Sequence, residues 1–161
     1  MNWQPPHISK IYEALTAIAD NRMELSEDKR TAKCFSSSKG KFYEIEYDKE
    51  TRSIMSNDNT AFFKGEISYP MIAMLMLLGE LPYTVELANY FINIPWKDLL
   101  QKHKKKGKND YDAGVAEVLA TLSEKEIDIT PIKTEVEKIH KIALDLKLER
   151  LGKMRFPPKG Y

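Results

Sequence analysis

The stretch Tyr69-Pro70-Met71-Ile72-Ala73-Met74-Leu75-Met76-Leu77-Leu78-Gly79 is the most apolar run in a chain in which 30% of residues are charged. Residues 71–78 carry no polar side chain, whereas a surface helix shows polar residues at every third or fourth position. Pro70 suits a first helical turn, and Gly79 suits a left-handed helix end. Because β-branched residues are almost absent, the run predicts a short helix buried on nearly all sides. A buried strand and a ligand site lined by methionines are the alternatives.

The overall composition predicts one α+β domain. The chain has 161 residues, of which 42% are hydrophobic, and this is enough apolar material for a sizeable core. We expect residues 1–152 to form that domain and residues 153–161 to form a C-terminal tail. The formal net charge is only +1, so binding to nucleic acid would have to depend on a local cluster of cations.

The cysteine and histidine content argues against a metal site or other cofactor. Cys34 is the single cysteine, which excludes an intrachain disulfide and a zinc site built on cysteines. The three histidines lie far apart in sequence, at His7, His103 and His140. Cys34 could be a nucleophile if neighbouring lysines lowered its pKa, but a lone cysteine is more often a buried apolar residue.

The ends and the apolar runs of the chain show no targeting or membrane segment. The first residues lack a basic region followed by an apolar stretch, so they do not form a signal peptide. The apolar run at 71–78 is far shorter than the ~20 residues needed to cross a membrane. We therefore expect a cytoplasmic protein that does not associate with a membrane.

The order of patterns along the chain predicts an N-terminal helix, then a meander, then helices. Apolar residues at helical spacing predict the first helix at about 8–23. Tyr43, Ile45 and Tyr47 alternate with glutamates, as in a half-buried strand, and residues 52–56 and 60–64 are further strand candidates. These segments predict an antiparallel meander of three to four strands. A cluster of four to five helices follows, including candidates at 85–91, 95–105 and 130–151.

Residues 70–107 resemble a helix-turn-helix or winged-helix segment. The apolar helix and Leu81-Pro82 are followed by Thr84-Val85-Glu86-Leu87-Ala88, and then by Ile94-Pro95-Trp96-Lys97-Asp98-Leu99-Leu100 and a run of lysines ending near Gly107. In that family the third helix enters the major groove and flanking lysines contact phosphates. Two departures are that Ile92 stands where the family usually has glycine and that a helix, not a wing, is predicted after Asn109.

We therefore expect a non-enzymatic binding or regulatory module, with nucleic acid as the partner of the helix at 95–106 and its basic end. No nucleophile, base and orienting group can be assembled from the sequence. The candidate contact residues are Lys97, Lys102, Lys104, Lys105, Lys106 and Lys108. The alternative is an assembly domain that forms a homodimer through the amphipathic helix at 130–151.

The surroundings of the lysine run distinguish a binding face from an ordinary solvated surface. A binding face needs further cations on the same side, from Lys33, Lys39, Lys41 or Lys64. An ordinary surface would instead place the carboxylates of Asp110, Asp112 or Glu117 against the lysines.

Overall fold

The α+β class is confirmed in the structure, a computed structural model that describes residues 2–37 and 40–159. The α-helices are α1 (Ser9–Ala19), α2 (Tyr69–Leu77), α3 (Val85–Asn89), α4 (Trp96–Lys102), α5 (Tyr111–Glu124) and α6 (Ile129–Leu144). A π-helical turn covers Thr60–Lys64. The strands are β1 (Met23–Leu25), β2 (Thr31–Phe35), β3 (Phe42–Asp48), β4 (Ser53–Ser56) and β5 (Glu149–Arg150).

The described strands form one mixed sheet in the order β1-β2-β3-β4-β5. The first four pair as an antiparallel meander, with Ile45 opposite Ala32 and Tyr47 opposite Ile54. β5 then pairs with β4 in parallel, with Glu149 opposite Ser53. The prediction of three to four antiparallel strands was therefore incomplete, because a strand from the far end of the chain completes the sheet.

Three local predictions were wrong for identifiable reasons. The first helix ends at Ala19 rather than near 23, because Asn21 adopts a left-handed conformation that turns the chain into β1. Residues 60–64 form the π-helical turn instead of a strand, since the Asp58 side chain accepts a hydrogen bond from the Ala61 amide at 2.9 Å. The last helix ends at Leu144, and residues 149–150 leave it to pair with β4.

Helix α2 forms as predicted and lies in the core. Residues 70–76 are all buried, and the chain leaves the helix through Gly79 with a φ of +80°. α2 contacts α1 and also strands β1, β3 and β4. It therefore links the sheet to the helical cluster, which is why no face of it can carry polar residues.

Helix α1 is buried far more completely than its sequence pattern predicts. Residues 9–17 are all buried, although the pattern indicated a single apolar face. The reason is that α1 contacts α2, α3, α5 and α6. Its charged residues Lys10 and Glu13 are consequently enclosed by protein.

The later helices begin at side-chain caps and bury an apolar stripe. The side chains of Thr84 and Asp110 accept hydrogen bonds from backbone amides at the starts of α3 and α5. The predicted stripe on α6 is buried at Ile132, Val136, Ile139 and Ala143. No helix among the described residues is both long enough and apolar enough to span a membrane.

Candidate functional site

A cavity of about 360 Å³ opens between α1, the residues before β3, the π-helical turn and α4. We call it the cationic pocket. Its described lining includes five cationic side chains, from Lys10, Arg22, Lys41, Lys97 and Lys104. It includes two carboxylates, from Glu13 and Asp58. The pocket thus combines residues from separate parts of the chain, most of which show no motif in the sequence.

The floor of the pocket carries a buried ion pair on α1. Lys10 Nζ lies 3.2 Å from Glu13 Oε2, and the two residues are only 5% and 7% exposed. Burial alone would lower the pKa of Lys10, but the interactions with Glu13, together with those of Tyr111 and Asp58, outweigh it and raise the pKa above the usual value. Lys10 is therefore an ammonium group at neutral pH, and it is not available as an amine nucleophile.

Arg22 is the second cation at the floor. The left-handed turn at Asn21 brings it back beneath the sheet, where its Nη1 donates to the Phe35 carbonyl oxygen at 2.8 Å. Its Nε lies 3.6 Å from Asp20 Oδ2, which is an ion-pair distance without a hydrogen bond. The guanidinium is thus anchored at one end and retains donor capacity at the other.

Asp58 has a structural role in the pocket wall. Its Oδ2 accepts hydrogen bonds from the hydroxyls of Ser56 and Ser68, each at 2.5 Å, and its Oδ1 accepts one from the Ala61 amide. Because its oxygens already accept bonds that hold the π-helical turn, we assign it to the architecture of the wall.

The rim of the pocket is formed by two exposed lysines and one partly buried lysine. Lys97 lies on α4, Lys104 follows that helix, and Lys41 directly precedes β3. No described carboxylate forms an ion pair with Lys97 or Lys104. Lys97 and Lys104 therefore add positive charge to the rim that no described carboxylate pairs with.

Tyr111 lies between two ammonium groups at one side of the pocket. Lys10 Nζ lies 4.6 Å from its ring centroid, and Lys64 Nζ lies 3.3 Å from its hydroxyl oxygen. Burial raises the pKa of Tyr111, but the charge of Lys10, a hydrogen bond with Asn109 and Lys64 together lower it below the usual value. The phenol is consequently a stronger hydrogen-bond donor than an ordinary tyrosine.

The six lysines predicted as contacts occupy different environments. Lys97 and Lys104 line the pocket, whereas Lys102 lies 2.8 Å from Glu117 and Lys105 lies 3.3 Å from Asp110. Lys106 and Lys108 are exposed in the following turn. Two of the three carboxylates that we expected at an ordinary solvated surface therefore lie against the run, at Lys102 and Lys105, whereas Lys97 and Lys104 face the cavity.

The cations expected from the meander are also divided. Lys41 joins the pocket, while Lys64 contacts Tyr111 beside it. Lys33 lies over the Phe42 ring on the exposed face of the sheet, with its Nζ 4.9 Å from the ring centroid. Lys39 lies outside the described residues. Lys41 therefore lines the same cavity as Lys97 and Lys104.

Cys34 does not have the environment of a nucleophile. Its side chain is buried, and this burial raises the pKa of the thiol to about 12, although Arg22 partly opposes the shift. A thiol with that pKa is almost wholly protonated at neutral pH. Cys34 is accordingly a core residue that borders the floor through Tyr69 and Arg22.

Sequence reasoning missed the floor of the pocket. Lys10 and Glu13 stand one helical turn apart inside an otherwise apolar pattern, and this interruption was the available signal. Arg22 and Tyr111 carried no comparable signal, because they reach the cavity through a turn and through the packing of α5 against α1.

One family model matches the chain over most of its length. The family is described as Uncharacterised conserved protein UCP014422, and its model matches residues 3–149. The matched segment contains every residue of the cationic pocket. No curated protein and no solved structure matches the chain.

Proposed function

The chain belongs to the family Uncharacterised conserved protein UCP014422, and we propose that it is a binding module for a small ligand that carries a phosphate group. One observation supports the proposal above all. Of the five cationic side chains that line the cationic pocket, Lys10 and Arg22 lie beside carboxylates, whereas no described carboxylate forms an ion pair with Lys97 or Lys104.

The charge balance favours an anionic ligand. Glu13 is paired with Lys10, and Asp58 accepts hydrogen bonds from two serines and an amide. The charges of Lys97 and Lys104, with which no described carboxylate forms an ion pair, therefore act on whatever enters the pocket. Lysine binds phosphate through a charged ammonium group on a flexible side chain, so several lysines can contact the same phosphate group. A cavity of about 360 Å³ lies within the usual range for small-molecule sites.

We assign the site to binding rather than to nucleophilic catalysis. Lys10 in the pocket and Cys34 beside it have raised pKa values that keep both of them protonated at neutral pH, so neither provides an amine or thiolate nucleophile. Tyr111 has a lowered pKa, and in this proposal it donates a hydrogen bond to the ligand.

Calorimetric titration with inorganic phosphate and with butyl phosphate tests the proposal. We expect both anions to bind, and we expect Lys97→Ala/Lys104→Ala to weaken each at least tenfold. The matched control is Lys133→Ala/Lys138→Ala, which removes two exposed lysines from α6, away from the pocket. Equal affinity in the pocket variant and the control, or no binding to either anion, would contradict the proposal.

Nucleic acid is the second candidate ligand. Lys41 of the meander gathers with Lys97 and Lys104, and the exposed Lys106 and Lys108 follow in the same basic run. If these side chains contact a phosphate backbone, the logarithm of the affinity falls with the logarithm of salt concentration by about 0.9 per phosphate contacted in duplex DNA. A flat salt dependence, or no binding to duplex at low salt, removes this candidate.

The assembly role predicted for the last helix also stays a proposal. Ile142 and Leu144 at the end of α6 are 41% and 46% exposed, which leaves apolar surface for a second copy of the chain. Sedimentation would show a concentration-dependent dimer. A monomer at ~100 μM would exclude all but a weak association.

A further inference from the structure

We infer that the ligand of the cationic pocket is a phosphorylated polyhydroxy compound whose hydroxyl groups reach Lys10, Glu13 and Arg22 at the floor. A sugar phosphate and a nucleotide share this chemistry. The inference rests on the proposed function, because it assumes that the rim lysines hold the phosphate, and it adds what the rest of the ligand must be.

The pocket has two chemically distinct zones. At the rim, Lys97 and Lys104 are exposed, and they are followed inward by Tyr111, which is half-buried. At the floor, Lys10, Glu13 and Arg22 are 5%, 7% and 5% exposed. A phosphate keeps part of its hydration at the rim, whereas a group that reaches the floor is enclosed and must satisfy polar atoms there.

The floor contains polar atoms that the protein leaves without hydrogen bonds. Glu13 Oε2 has none, since Lys10 Nζ is close enough for an ion pair but not aligned for a bond. Arg22 Nε also has none. Buried polar groups of this kind are uncommon, and each one calls for an explanation such as a bound water or a ligand. Here an acceptor and a donor of two different residues remain unsatisfied at the same floor.

Stability alone does not account for this arrangement. A buried ion pair is often no more stabilising than apolar residues of the same volume, because both ions lose their hydration. Apart from Ser9, the other buried residues of α1 are apolar or aromatic or, like Thr16, hydrogen-bonded, so an apolar pair would fit the pattern of the helix. A ligand in the cavity beside the pair can supply the hydrogen-bond partners that the core does not provide.

The mixed charge at the floor selects a neutral group with both donor and acceptor capacity. Glu13 and Asp20 balance the charges of Lys10 and Arg22, so a second charged group would lose its hydration at the floor without meeting a net opposite charge. A hydroxyl donates one hydrogen bond and accepts others, so neighbouring hydroxyls can donate to Glu13 while accepting from Lys10 and Arg22. A polyhydroxy carbon skeleton attached to a phosphate provides that combination.

Calorimetric titration with four probes tests the inference. The probes are inorganic phosphate, butyl phosphate, ribose 5-phosphate and adenosine monophosphate. We expect ribose 5-phosphate to bind at least tenfold more tightly than butyl phosphate, which carries the same anionic group without hydroxyls. Adenosine monophosphate separates the two sources, because tighter binding than ribose 5-phosphate identifies a nucleotide and weaker binding identifies a sugar phosphate.

Variants at the floor test which residues form hydrogen bonds with the hydroxyl groups of the ligand. We expect Glu13→Gln to reduce the affinity for ribose 5-phosphate to near that for butyl phosphate. Because Glu13→Gln leaves Lys10 without a charged partner, Lys10→Met/Glu13→Leu serves as a second variant that keeps the volume filled. Circular dichroism confirms folding of each variant, and Lys133→Ala is the control expected to keep the full preference.

The outcomes separate the two proposals. If both alkyl and sugar phosphates bind with the same affinity, the inference about hydroxyls is overturned and the phosphate-binding function stands. If a folded floor variant keeps the tenfold preference, the assignment to Lys10, Glu13 and Arg22 is overturned. If no phosphate compound binds, the proposed function fails and the inference fails with it.

Discussion

Helices α1 and α2 are both buried, but they differ in the polarity of the side chains that they bury. α2 presents only apolar side chains from Pro70 to Met76. α1 is buried from Ser9 to Ala17 and carries a charged pair and hydroxyl groups among its apolar residues. The comparison shows that complete burial can be read from composition only when every enclosed residue is apolar.

The polar residues of α1 differ among themselves in how well they are satisfied. Thr16 Oγ1 donates to the Phe91 carbonyl oxygen at 2.7 Å and accepts from Trp96 Nε1 at 2.9 Å. Ser9 Oγ has no hydrogen bond among the described residues, and the Lys10–Glu13 pair is only partly satisfied. α1 therefore contains a graded series of buried polar groups, which the predictions below use from the largest effect to the smallest.

The largest effect is expected from placing a charge on α2. Leu75 is 1% exposed, so Leu75→Asp removes a core side chain and buries an unpaired carboxylate. We expect the free energy of unfolding to fall by more than about 5 kcal/mol, which is enough to unfold a typical domain. Circular dichroism measures the loss, and the control is Ile142→Asp at an exposed position. A folded Leu75→Asp protein would show that residues 71–78 are not the core.

The next effect is expected from removing one partner of the charged pair on α1. Lys10→Met leaves Glu13 buried without its counter-ion, and we expect destabilisation by about 3–5 kcal/mol in urea unfolding. Lys10→Met/Glu13→Leu should recover most of that loss, because it removes both charges. If the double variant is as unstable as the single one, the pair contributes packing that apolar residues cannot replace.

The same pair has a signature at high pH. The folded-state pKa of Lys10 is raised above 10.5, so the native protein holds this proton more tightly than the unfolded chain. The resulting stability is fully present below pH 10.5 and is lost as the pH rises through the folded-state pKa. We expect the wild type to lose stability relative to Lys10→Met/Glu13→Leu above pH 10.5. Equal slopes for the two proteins would argue against the pair.

A smaller effect is expected at the fully satisfied hydroxyl of α1. Thr16→Val keeps the shape of the side chain but leaves the Phe91 carbonyl and the Trp96 indole without their partner. We expect a loss of about 1–3 kcal/mol in the free energy of unfolding. Trp96 fluorescence gives a second readout, since its Nε1 loses its hydrogen bond. An unchanged unfolding curve would mean that these contacts are not formed in solution.

The smallest effect is expected at the unsatisfied hydroxyl. Ser9→Ala removes an Oγ that has no described hydrogen-bond partner, while the backbone amide keeps its bond from Ser9 N to His7 Nδ1. We expect a change within about 0.5 kcal/mol, or a slight gain in stability. A loss as large as that of Thr16→Val would reveal a partner for this hydroxyl.

The comparison also explains which parts of the fold could be predicted from the sequence. α2 was predictable because its uniform composition leaves only one environment for it. α1 was placed correctly but was assigned a single apolar face. The pattern of one segment does not show which other elements will pack around it. Thr16 is satisfied by Phe91 and Trp96, about 75 to 80 residues away in the chain. The strand β5 escaped prediction for the same reason, since it depends on β4.

The residues of the candidate site also differ in whether the sequence alone could identify them. The lysines of the basic run were visible as a charge block, and two of them, Lys97 and Lys104, line the pocket. Lys10 and Arg22 were not proposed, because they lie within or next to segments whose patterns indicate ordinary structure. A cavity is formed by residues from several elements at once, and its charge balance becomes apparent only when those elements are packed.

The parallel pairing of β5 with β4 has a consequence for the order of events during synthesis. The Ile54 carbonyl oxygen accepts hydrogen bonds from Trp3 Nε1 and from the amide of Leu151. Because residues 149–151 lie far after β4 in the sequence, a growing chain contains the meander and the N-terminal segment long before these residues are synthesised. At ~5–20 residues per second, the edge of β4 stays open for several seconds, during which a chaperone or a neighbouring nascent chain can reach it.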